Sequence, residues 1–96
     1  EKILDEAIRL KATDIHVEPK SGFMLIRFRI DGDLVTIYQS NQNCENIINK
    51  IKVKSGLDTM NKEIQESSFE YKGFMIRVSS VPALNGEKIV FSINCV

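Results

Sequence analysis

All five glycines of this 96-residue chain stand alone, and each falls at a seam between stretches of regular hydrophobic period. Four seams, Ser21-Gly22, Asp31-Gly32, Lys72-Gly73 and Asn85-Gly86, adjoin runs in which apolar residues recur at every second position. That pattern belongs to strands joined by tight turns, with Asp31-Gly32 the strongest two-residue hairpin signal. The fifth, Gly56, closes a run of helical period and suits a helix C-terminal cap.

The runs themselves set the order of elements. Ile3, Leu4, Ala7, Ile8 and Lys11 follow helical spacing, with Glu1, Asp5, Glu6 and Arg9 on the other side, which predicts an amphipathic helix over 1–11. A strand follows over 14–18, with Ile15 and Val17 on one face and Pro19 as its end. Over 23–30, Met24, Ile26, Phe28 and Ile30 point one way and Leu25, Arg27 and Arg29 the other. A third strand covers about 34–39. Ser40-Asn41-Gln42-Asn43 offers cap chemistry for a second helix whose apolar stripe is Cys44, Ile47, Ile48 and Ile51. Residues 58–67 are polar and without period, which predicts a loop. Three more strands are expected over 69–71, 74–81 and 89–95, the last two separated by a loop from Pro82 to Gly86. In the fifth, Phe74, Ile76 and Val78 oppose Met75, Arg77, Ser79 and Val81; in the last, Ile89, Phe91, Ile93 and Cys95 oppose Val90, Ser92 and Asn94. Helix, three strands, helix, three strands with short turns predicts an α+β fold. It is a mainly antiparallel sheet of about six strands with two helices on one face, PAS-like in outline.

Length and composition narrow the class. Ninety-six residues suffice for one domain, 1–96, able to bury roughly 60–65% of its unfolded surface. The opening on a helix and the close on a strand read as a fragment of a larger protein. Thirteen basic residues balance thirteen acidic ones, so no net field draws the chain to nucleic acid or anionic membrane. No apolar run is long enough to span a bilayer. Cys44 and Cys95 lack a CxxC neighbour and there is one histidine, so no metal site is expected; buried free thiols are.

Three groupings carry possible chemistry. Asp14, His16 and Glu18 alternate on one strand face about 6.6 Å apart, a row that could suit a metal or general base but, lacking a third nitrogen or sulfur ligand, reads first as a polar outer face. Arg27, Arg29 and Arg77 lie opposite the apolar positions of their strands. If those strands are neighbours the guanidinium groups converge on a phosphate or carboxylate; otherwise they form a solvated face with ion pairs to Asp14, Glu18 or Asp33. Lys50, Lys52 and Lys54 either complement the dipole of the second helix or bind phosphate. No G-x-x-x-x-G-K-[ST] loop, G-x-S-x-G elbow or Cys–His pair is present, so no catalytic residue is assigned and the chain alone is not expected to be an enzyme.

Three stretches in series resemble the ATPase family of type II secretion, type IV pilus assembly and competence systems. Ala12-Thr13-Asp14-Ile15-His16-Val17-Glu18-Pro19 is similar to its A-S-D-I-H-x-E-P. Arg27-Phe28-Arg29-Ile30-Asp31-Gly32 is similar to R-x-R-x-D-G. Arg77 to Pro82 followed by Gly86-Glu87-Lys88-Ile89-Val90 is similar to R-x-S-x-x-P and G-E-x-x-V, with Ile51-Lys52 and Leu57-Asp58 between. The resemblance covers nearly the whole chain. It implies a PAS-like N-terminal domain joined to a RecA-like ATPase domain that lies outside this chain and holds ATP and Mg.

In such homo-hexamers the domain docks on a neighbour's ATPase domain at the cytoplasmic face of the inner membrane. It couples hydrolysis to a rotation that moves an inner-membrane platform protein and drives pilin assembly and protein transport. The resemblance gives Arg27, Arg29 and Arg77 the nucleotide phosphates, and Asp14, His16, Glu18, Asp31, Gly32, Gly86 and Glu87 structural roles. Two departures stand out: Gln65-Glu66-Ser67-Ser68-Phe69 replaces the family's P-Q-D-G-R, and Ser92 replaces an arginine. The alternative is a stand-alone PAS-like sensory or ligand-binding module. It needs an internal pocket, whereas the apolar faces read as filled by two helices. A nucleic-acid-binding sheet would expose aromatics, yet Phe28, Phe74 and Phe91 fall on the core face.

Overall fold

The computed structural model describes residues 2–41 and 44–95, with the side chain of Cys44 outside the described part. Its elements are α1 (Lys2–Arg9), β1 (Asp14–Lys20), β2 (Phe23–Ile30), β3 (Asp33–Ser40), α2 (Cys44–Lys54), β4 (Gln65–Tyr71), β5 (Phe74–Ala83) and β6 (Gly86–Cys95). Period-two patterning sorts the strands into two meanders, β1-β2-β3 and β4-β5-β6. All pairs are antiparallel, and β1 and β6 join the meanders at the centre of one six-stranded sheet ordered β3-β2-β1-β6-β5-β4. The α+β expectation therefore holds.

The inward positions are those the alternation selects. Ile15, Val17, Met24, Ile26, Phe28, Ile76, Val78, Ile89 and Phe91 are buried, and α1 adds Leu4 and Ala7 while α2 adds Ile48. Both helices end in the same hydrogen-bond pattern. At α2, Leu57 N donates to Lys52 O at 2.8 Å and Gly56 N to Val53 O at 3.2 Å, with Gly56 at φ 78°. At α1, Ala12 N donates to Ala7 O at 2.9 Å and Lys11 N to Ile8 O at 3.0 Å. These are Schellman caps, but α1 places Lys11, not glycine, at the left-handed position (φ 61°). Lys11 thus terminates the helix that was expected to include it.

Several boundaries differ from the sequence reading, each for a local reason. Pro19 lies inside β1, where pairing with β2 continues to Lys20 but pairing with β6 stops at Val17. A proline ring is tolerated on a side with no ladder to complete. Pro82 repeats this in β5, beyond the last residue paired with β4. The β5–β6 connection is accordingly a two-residue turn, Leu84-Asn85, since Ala83 already pairs with Gly86. β4 begins at Gln65, four residues before the expected start, because Gln65, Glu66, Ser67 and Ser68 pair with β5 without any apolar alternation. The proposed caps Gln42 and Asn43 lie outside the described residues. Cys95 is a free thiol but an exposed one, at the far end of β6, which corrects the expectation of burial.

The two helices do not fill the apolar face. Clefts that take a drug-sized ligand measure roughly 300–1,000 Å³, and one of ≈ 430 Å³ lies between α1 and α2. Leu4, Ile47 and Ile51 form its walls, Val17, Ile26 and Phe91 its floor, and Lys50 and Lys54 stand at its edge. The expectation that this face is filled is overturned: residues of α1 and α2 line an open cleft over the sheet.

Candidate functional site: the polar outer face of the sheet

Cross-strand partners in an antiparallel sheet point to the same side, so the register determines which polar residues meet on the face away from the helices. One row runs Arg29–Asp14–Ser92–Arg77 across β2, β1, β6 and β5; the next runs Arg27–His16–Val90–Ser79. All three sequence-selected arginines therefore share this face. They do not all converge. Arg27 and Arg29 stand beside β1, whereas Arg77 is three strand spacings from Arg29, about 14 Å at the usual interstrand distance.

Asp14 anchors the first row. It accepts from Thr13 Oγ1 at 2.6 Å and contacts His16 Nε2 at 2.5 Å and Arg29 Nε at 3.3 Å. Arg29 also donates through Nη1 to Gly32 O at 3.1 Å. The Asp31-Gly32 turn, both residues at positive φ (53° and 87°), thus aims a carbonyl at an arginine as well as reversing the chain. Partial burial pushes the Asp14 carboxyl up, but Thr13, His16 and Arg29 outweigh it and hold it below the ordinary range.

Glu18 anchors the second cluster and is nearly buried. Arg27 Nη2 donates to both its oxygens at 2.8 Å, Lys20 Nζ lies 3.3 Å away and Lys88 Nζ 3.6 Å away. Burial raises this carboxyl too, and Arg27, followed by Lys20 and Lys88, brings it below its ordinary value. His16 sits between the two carboxylates, with Nδ1 buried, 4.0 Å from Glu18 and without a hydrogen-bond partner. Asp14 and Glu18 are thus counter-groups for cations with His16 between them, and no cluster of three metal-ligating side chains occurs among the described residues. Arg77 differs from the other arginines: it is exposed and makes no ion pair or side-chain hydrogen bond among the described residues.

The remaining motif residues serve the fold. Glu87 is buried against Lys52 Nζ at 2.8 Å, and Lys52, fully buried, also donates to Asn61 O at 2.9 Å. Of the three lysines read as a helix-end group, Lys52 is therefore a core residue. Gly86, at φ 130°, opens β6 against Pro19. Sequence reasoning missed Lys20, Lys88 and the Lys52–Glu87 pair. Lys20 was visible in principle, two residues beyond Glu18 and so on the same face; the other contacts depend on long-range pairing.

The sequence that builds this face and the helical layer matches a known family. Residues 1–94 match the family described as type II/IV secretion system protein, and the chain belongs to it. It is 40% identical over 94 residues to a putative type II secretion system protein E of Escherichia coli, covering 92% of this chain and 19% of that protein. It is 37% identical over 94 residues to the type II secretion system protein E of Pseudomonas aeruginosa, with the same coverage. Over 99 residues it is 34% identical to the type IV pilus assembly ATPase PilB of Acinetobacter baylyi, covering 96% of this chain and 17% of that protein. The chain spans less than a fifth of the length of each of these relatives. Among the described residues no helix is long and apolar enough to cross a membrane.

Proposed function

We propose that this chain is the PAS-like N-terminal domain of a hexameric secretion or pilus-assembly ATPase, and that its outer sheet face docks on the ATPase domain of a neighbouring subunit. There it presents arginines to the nucleotide phosphates and couples hydrolysis to domain motion. The observation that carries this reading is Arg77: an exposed guanidinium with no partner among the described residues, on the same face as Arg27 and Arg29. A cation brought to a phosphoryl group from a flanking domain stabilises charge that develops during transfer. ATP and Mg belong to the ATPase domain of the parent; what would meet their phosphates from this domain is its set of outward arginines, Arg27, Arg29 and Arg77. On this reading the parent works in the cytoplasm at the inner membrane, against a platform protein that assembles pilins or pseudopilins.

The test is substitution in the parent protein. Arg77→Ala and Arg29→Ala should each lower the ATPase rate by on the order of tenfold or uncouple it from assembly, with an unchanged urea midpoint for the domain. Normal hydrolysis together with normal assembly in both variants refutes the reading. A second reading, a ligand-binding module, is favoured by one observation, the apolar cleft between α1 and α2. Mass spectrometry of the purified chain under native conditions tests it: a bound small molecule supports it, and a bare chain counts against it.

A further inference from the structure

The cleft on the helix side of the sheet pairs an apolar interior with charge of one sign. Aliphatic and aromatic side chains make its walls and floor. The polar members of its lining are Lys50, Lys54, Ser55 and Tyr71, which bring two cations and no carboxylate. Burying apolar surface favours any tail that enters such a space, and the cations choose what stands at its mouth.

Lys50 and Lys54 stand four residues apart on α2, on the side that also carries Ile47 and Ile51 into the cleft. Like charges at this spacing disfavour each other, and an anion between them relieves that cost. Lys50 is exposed and makes no ion pair or side-chain hydrogen bond among the described residues. The carboxylates of α1 are already engaged elsewhere. Asp5 accepts from Tyr71 Oη at 2.7 Å and Lys72 Nζ at 2.9 Å, and Glu6 is paired with Arg9. The positive rim of the cleft is thus open to an anion from outside the chain.

We propose that the cleft binds a free long-chain fatty carboxylate, its tail lying between α1 and α2 over Val17, Ile26 and Phe91 and its head at Lys50 and Lys54. A bare phosphate gains nothing from the apolar walls, and an uncharged apolar molecule leaves the lysines unmatched. A volume of ≈ 430 Å³ lies near the lower end of the range for ligand clefts, which fits one chain and not the paired chains of a phospholipid. The proposal rests on the ligand-module reading above and names its ligand class; it is independent of the nucleotide reading, which concerns the opposite face of the sheet. A chain seated between the two helices ties them together and stabilises the folded domain by its binding.

The test is calorimetry on this 96-residue chain with octanoate, decanoate and decyltrimethylammonium, each below its micelle concentration. Decanoate should bind about 10-fold more tightly than octanoate, since each added methylene contributes roughly 3- to 4-fold. It should also bind more tightly than decyltrimethylammonium, which has the same tail and the opposite charge. Lys50→Glu, on an exposed side chain that leaves the core untouched, should weaken decanoate by ~5-fold or more and narrow or reverse that preference. Equal binding of octanoate and decanoate overturns the proposal, as does a Lys50→Glu chain that binds decanoate as the unmodified chain does. Binding to phosphatidylglycerol vesicles without binding of decanoate overturns it in favour of a membrane surface. A molecule of another class found on the purified chain by native mass spectrometry, with no decanoate binding, keeps the ligand-module reading and overturns only this assignment of its ligand.

Discussion

Replacing Lys52 by Met should destabilise the domain more than any surface substitution on it. Lys52 is fully buried, its Nζ 2.8 Å from Glu87 and 2.9 Å from the Asn61 carbonyl, and Glu87 is only 9% exposed. Removing one partner of a buried pair leaves the other charge uncompensated, at a typical cost of about 3–5 kcal/mol. Two features pull the figure towards the lower end. Lys62 lies 3.6 Å from the other oxygen of Glu87, and Gln65 Nε2 still donates to the Asn61 carbonyl at 3.1 Å. A chain of this length has a total stability of roughly 5–14 kcal/mol, so a loss of about 3 kcal/mol is a large share and lowers the melting temperature by at least ~12 °C.

The sharper test is the double variant. With Glu87→Leu added to Lys52→Met no charge is stranded, and a buried pair replaced by apolar side chains is often close to neutral. The double variant should therefore be more stable than Lys52→Met alone by about 2 kcal/mol or more, read from urea midpoints of the four chains of the cycle. Losses that simply add, or a Lys52→Met cost below about 1 kcal/mol, would refute the claim that the pair is a desolvated unit.

Two further outcomes follow from the backbone and the outer face. Lys11→Gly should raise stability by about 0.5–1 kcal/mol, because Lys11 holds a left-handed conformation (φ 61°) at an exposed cap that costs a side-chain-bearing residue energy; a lower urea midpoint would contradict it. Asp14 and Glu18 both titrate below their ordinary values of 3.8 and 4.5, so their contribution is complete above about pH 5 and is lost as pH falls through the lowered folded values. The Glu18→Gln chain should accordingly lose less stability than the unmodified chain between pH 5 and about 3, and parallel urea-midpoint curves over that range would show that Glu18 is not paired.

The sheet was largely legible because its strands are half-buried and its hairpins are marked. Met24, Ile26 and Phe28 alternate with Leu25, Arg27 and Arg29, and Asp31-Gly32 fixes the turn, so β2 and its two faces follow from period alone. β4 was not legible at its start. It is an edge strand, and Gln65 and Ser67 occupy inward-facing positions that an apolar residue would have marked. Gln65 instead pins the preceding loop, accepting from Asp58 N at 2.9 Å and donating to Asp58 O at 2.8 Å. The prolines misled for a related reason: strand ends paired on one side only look like breaks in a sequence, since the missing ladder is set by a distant strand.

The same limit governs the site. Period two places Arg27, Arg29 and Arg77 on the outward face, but whether an arginine is available depends on what lies across the next strand. That neighbour is a matter of residue 14 meeting residue 92 at the centre of the sheet. Ser92 occupies the place between Asp14 and Arg77. A serine there adds no cation, so Asp14 is left to Thr13, His16 and Arg29, and Arg29 is held on the sheet by Asp14 and the Gly32 carbonyl. Arg77, with the short Ser92 and Ser68 across from it on either side, has no carboxylate directly opposite it on either neighbouring strand. The face therefore holds two kinds of arginine. Arg27 and Arg29 are held by carboxylates of β1, and Arg77 is free to meet an anion from outside the domain.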